Sequence, residues 1–70
     1  MFHKEAPSVQ VNDRFVKAGD GPGRVWVVIR VWMTVDRLMH ARLLGEGREG
    51  ETRIISVSAL TDRQFFTPAH

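Results

Sequence analysis

The run Val25-Trp26-Val27-Val28-Ile29-Arg30-Val31-Trp32-Met33 constrains the fold more than any other part of this chain. It is rich in β-branched and aromatic residues, and its alternation suits a strand. Successive strand residues point to opposite faces. One face therefore reads Val25, Val27, Ile29, Val31, Met33, an unbroken apolar surface that a core requires. The other carries Trp26, Arg30 and Trp32, more aromatic and cationic character than a solvated strand needs. At nine residues the run exceeds the usual five or six.

The rest of the chain limits what that strand can join. Seventy residues make one small domain, and a chain of that size buries only about 60% of its unfolded surface. Cysteine is absent, which removes disulfides and the commonest structural zinc ligands as staples. A compact barrel, self-association or ordering by a partner remains. No segment approaches the roughly 18 apolar residues of a membrane span, and the N-terminus lacks the apolar stretch of a secretory signal. A cytoplasmic protein without a membrane partner is expected. Net charge is only +2, but eight of the ten basic residues are arginine. Arginine pairs with phosphate or carboxylate and stacks on aromatic planes; a GC-rich genome gives the same bias.

Residues 1–10, with Pro7 and Ser8, read as a flexible tail, and residues 11–67 as the domain. Val11–Lys17 feeds a first strand. Ala18–Arg24 is a loop with three glycines and a proline, followed by the long strand. Leu38–Leu44 is a third strand, Gly45–Gly50 a second glycine-rich loop and Thr52–Ser58 a fourth strand. Ser58–Asp62 reads as a serine-capped single 3₁₀ turn, and Gln64–Thr67 closes the chain as a fifth strand.

Register sharpens this picture. With Met33 opposite Met39, Val31 faces Ala41 and Ile29 faces Leu43 on the core side. Trp32 then faces His40, Arg30 faces Arg42 and Val28 faces Leu44 on the outer side. Extending from Leu44 opposite Thr52 pairs Ala41 with Ile55, Met39 with Val57, His40 with Ser56 and Arg42 with Ile54. The expected outer face thus joins Trp26, Arg30, Trp32, His40 and Arg42, with Arg24 at its margin. Arg30 directly opposite Arg42 costs a few tenths to about 1 kcal/mol unless relieved. Glu46, Asp36 or a bound anion would relieve it.

Five short strands, two glycine-rich loops and a one-turn helix before the last strand resemble the SH3-like small barrel, an all-β fold. Val11-Asn12-Asp13-Arg14-Phe15-Val16-Lys17 is similar to the entry strand of KOW and Tudor barrels. Ser56-Val57-Ser58-Ala59-Leu60-Thr61-Asp62 resembles the end of the plasmid-type dihydrofolate reductase, which is also such a barrel. That enzyme's active-site strand reads Val-Gln-Ile-Tyr. Here the corresponding stretch is Arg53-Ile54-Ile55-Ser56, without Gln or Tyr, so the resemblance does not imply its activity. The stretch from Val11 to Phe66 also resembles short bacterial proteins.

Catalysis is not expected. His40 opposite Ser56 lacks an acidic residue on its face to orient the imidazole, and no oxyanion hole is evident. His3 and His70 lie in the tails, so neither a metal site nor a cofactor is expected. Gly19-Asp20-Gly21-Pro22-Gly23 lacks the Gly-Lys-Ser/Thr and following helix of a P-loop and reads as a turn. The Trp–Arg face suits stacking of single-stranded bases with phosphates on the arginines. It equally suits a protein partner or a homodimer, since Trp and Arg dominate hot spots. It also suits a bent strand that buries one indole.

Overall fold

A computed structural model of the chain describes residues 8–21 and 23–69. Most of the expected tail, including His3, lies outside the described residues, as do Pro22 and His70. The protein is all-β. Strands β1 (Arg14–Lys17), β2 (Val25–Met33), β3 (Met39–Gly45), β4 (Thr52–Ser56) and β5 (Phe66–Pro68) form it with one short helix, α1 (Val57–Leu60). The strands make one antiparallel sheet in the order β4-β3-β2-β1-β5. β4 and β5 are its edges, and α1 packs against both of them and against β3.

The helix begins earlier than the sequence suggests. Ser56, not Ser58, is the cap: its Oγ accepts a hydrogen bond from the Ala59 N–H at 3.2 Å. The Thr61 N–H reaches back to the Val57 carbonyl at 2.9 Å, an i to i−4 bond, so the turn is α rather than 3₁₀. This start buries Val57 and Leu60 and ends β4 at Ser56, so Val57 does not pair with Met39. The core also takes in Val9, from within residues 1–10.

Most of the expected register is present. Met33–Met39, Trp32–His40, Val31–Ala41 and Arg30–Arg42 pair across β2 and β3. Ala41–Ile55, His40–Ser56, Arg42–Ile54 and Leu44–Thr52 pair across β3 and β4. Between β2 and β3 the expectation fails at one point. The β2–β3 register shifts between Val28 and Arg30, which sets Val28 opposite Leu43, Val27 opposite Leu44 and Trp26 opposite Gly45. Ile29 is the extra residue of a β-bulge, and a bulge inverts the inside–outside alternation beyond it.

The inversion has a clear energetic reason. A strand of constant alternation would send Trp26 and Val28 outward. With the bulge they are 2% and 0% exposed, and Val31 still meets Ala41 on the core side farther along. Burying an indole removes far more apolar area from water than burying a valine. β1 fixes the arrangement from the other side, with Phe15 opposite Trp26. The Asn12 N–H donates to the Val28 carbonyl and the Val28 N–H to the Asp13 carbonyl, both at 2.8 Å. Asn12 donates the first of these bonds at φ 83°, a left-handed conformation that asparagine tolerates.

Candidate functional site

The bulge divides the expected Trp–Arg stripe. Trp26 belongs to the core and does not share a face with Arg30 and Trp32, a correction to the reading of β2 as uniformly alternating. Its ring instead carries two guanidinium groups, Arg48 at 5.0 Å and Arg53 at 5.1 Å from the ring centroid. Its Nε1 has no acceptor among the described residues. The sequence reading missed both arginines. The signal for Arg53 was its register opposite Leu43, on the core side.

Arg24 is also removed from the face. It lies at the far end of β2 from Trp32 and pairs with Glu51 at 3.3 Å and, more loosely, with Asp20 at 3.9 Å. Both ends of its loop are bound up in turns and ion pairs, and the following element is a strand.

What remains together is a compact face across β2, β3 and β4, built of two transverse rows. One row is Arg30–Arg42–Ile54 and the next is Trp32–His40–Ser56. The Trp32 and His40 rings stack, with centroids 6.1 Å apart and planes at 24°. The Arg30 guanidinium lies 5.2 Å from the Trp32 ring centroid, within cation–π range. His40 Nδ1 is 3.3 Å from the Leu38 carbonyl oxygen, and an Nδ1–H donates there. Ser56 spends its hydroxyl on the helix cap.

The charges on this face are unbalanced. Neither carboxylate that could relieve Arg30 and Arg42 does so. Glu46 holds Arg14 through two bonds, Arg14 Nε to Oε2 at 3.0 Å and Nη2 to Oε1 at 2.7 Å. That hydrogen bonding, reinforced by the carboxylate charge, raises the Arg14 pKa. Asp36 accepts the Thr34 hydroxyl, which is the main cause holding its pKa below the ordinary carboxylate value. Among the described residues, the ion pairs involve Arg14, Arg24 and Arg48, and none involves Arg30 or Arg42.

Elsewhere, a depression at the β1–β5 edge is lined by Asp13, Arg14, Thr61 and Arg63. Among the described residues no group of three His, Cys, Asp or Glu side chains is placed to hold a metal ion. Among them, too, no helix is long and apolar enough to cross a membrane. Comparison of the chain with protein-family models, curated proteins and solved structures returned no match.

Proposed function

We propose that the chain is a non-enzymatic binding module of the SH3-like small-barrel type, which takes single-stranded nucleic acid weakly on the outer face of β2–β4. One observation carries the reading: Arg30 and Arg42 stand opposite each other with no carboxylate partner among the described residues, beside the stacked Trp32–His40 pair. Two like charges in register are unfavourable in the free protein. A phosphate between them turns that repulsion into attraction and forms charge-assisted hydrogen bonds. Trp32 and His40 offer adjoining ring surfaces, and stacking a base on such a platform is worth about 1–3 kcal/mol. A single strand suits the face because its bases are free to splay onto the rings while its backbone follows the arginine row.

Fluorescence anisotropy of a labelled mixed-sequence oligonucleotide tests this. Affinity should fall with salt, with a log–log slope of about −0.7 for each phosphate neutralised on a single strand. Arg42→Gln should make that slope shallower by about 0.7. Trp32→Ala should weaken binding roughly 5- to 150-fold, the equivalent of the stacking energy above. Binding indifferent to salt, or no binding at all, would overturn the reading; the first result would point to a protein partner on the same face.

A further inference from the structure

The two edges of the sheet differ in what they leave open. β5 is three residues long and ends at Pro68, which lacks an N–H to donate. β4 is five residues long and has no proline. Its only charge is Arg53, whose guanidinium lies over Trp26 on the core side. β4 is thus longer than β5 and, unlike it, carries no proline to block pairing.

The hydrogen-bond phase shows which groups that edge presents. The Gly45 N–H donates to the Glu51 carbonyl at 2.9 Å, which marks Gly45 and Glu51 as a hydrogen-bonded pair. Such pairs alternate along an antiparallel ladder, so Leu43–Arg53 and Ala41–Ile55 are hydrogen-bonded too. Thr52 and Ile54 then turn their backbone N–H and C=O groups away from β3, as Ser56 does its N–H; the Ser56 carbonyl, at the N-cap of α1, serves the first turn of the helix. Among the described residues no backbone bond from outside the sheet reaches them.

We infer that a second copy of the chain pairs with this edge, β4 against β4, about a two-fold axis at Ile54. The pattern of side chains selects this register. Ile54, which is 52% exposed, meets the second copy's Ile54. Thr52 meets the second copy's Ser56, and Arg53 meets the second copy's Ile55. The outward N–H and C=O groups of Ile54, the Ser56 N–H and the Thr52 C=O fall into hydrogen-bonding phase. Centring the axis on Arg53 instead sets arginine against arginine, which is unfavourable. Centring it on Ile55 sets Arg53 against the second copy's Val57, where β4 has already given way to α1.

The pairing has a consequence for the candidate site. A two-fold of this kind stands perpendicular to the sheet, so both outer faces look the same way. The row Arg30–Arg42–Ile54 continues through the second copy's Ile54 into its Arg42 and Arg30. With strands about 4.8 Å apart, the two Arg42 Cα positions lie about 14 Å from each other. The use of this doubled row by nucleic acid rests on the function proposed above; the pairing itself does not.

Sedimentation of the free chain from micromolar to millimolar concentration, without nucleic acid, tests the pairing. A reversible monomer–dimer equilibrium is expected, because a five-residue edge makes a small interface. Ile54→Pro removes only an outward-facing donor, so it should abolish the dimer while circular dichroism stays unchanged. Ile54→Lys, which opposes two lysines, should do the same. Wild-type amide exchange needs no variant: protection of Ile54 should rise with concentration, and that of Val31 should not. A monomer at millimolar concentration, a dimer indifferent to both substitutions, or Ile54 exchange independent of concentration would overturn the inference. Since no oligonucleotide is present, failure here leaves the nucleic-acid reading standing, and the reverse also holds.

Discussion

Trp26 lies directly across the sheet from Gly45, and the space a Gly45 side chain would fill is taken by the guanidinium that covers the indole. A Cβ built on Gly45 comes within 2.7 Å of Arg48 Nε and Nη2. Glycine thus serves here for close approach rather than for an unusual backbone angle. Gly45→Ala should push Arg48 off the ring and destabilise the fold by about 1 kcal/mol, the worth of a partly desolvated cation–π contact. Urea denaturation measures this. In an Arg48→Ala background the same substitution should cost almost nothing, since the group it displaces is gone.

The two tryptophans should respond oppositely to truncation. Trp26→Ala empties a core position and should cost about 3–5 kcal/mol. That is comparable to the whole stability of a domain this small, so thermal melting should find the variant largely unfolded. Trp32→Ala sits on the outer face and should shift stability by no more than about 1 kcal/mol. Its remaining emission, from Trp26 alone, should be blue-shifted.

The β2–β3 turn carries a titratable lock. Asp36 accepts the Thr34 hydroxyl, the Thr34 N–H donates to the Leu38 carbonyl at 2.9 Å, and that carbonyl lies 3.0 Å from the same hydroxyl, whose one proton the two acceptors share. The folded Asp36 pKa is depressed, chiefly by the Thr34 hydroxyl. Its contribution to the turn is therefore present above the unfolded value of about 3.9 and is lost as pH falls through the lower folded value. An NMR titration of the Asp36 carboxyl should show a midpoint below the unfolded one, and Thr34→Ala should move it back up.

Much of this architecture is legible in the residues. The pairings around Ala41 follow from alternation alone, because Val31, Ala41 and Ile55 have to face one way while Arg30 and Arg42 face the other. The bulge at Ile29 does not follow from that logic. Val27, Val28 and Ile29 are all apolar, so either face of this half of β2 satisfies a core, and the pattern is silent on where the parity changes. The choice comes from the size of Trp26, the presence of Phe15 across from it and the bonds from Asn12 and Asp13. Each of these is a contact between residues distant in sequence. The site divides the same way. Arg30, Trp32, His40 and Arg42 were legible because they lie beyond the bulge in a single register; Trp26 and Arg24 were not, being committed to the core and to Glu51.

Nucleic acid, on the function proposed above, binds the face around Arg30, Trp32, His40 and Arg42. The most direct measurement is an ¹⁵N-resolved NMR titration of the protein with a short unstructured oligonucleotide. The Trp32 indole N–H and the amides of Arg30, His40, Arg42 and Ile54 should shift together in a salt-sensitive manner, while the Trp26 indole N–H stays in place. Shifts confined to the β1–β5 edge around Thr61 and Arg63, or a spectrum that does not change, would contradict it.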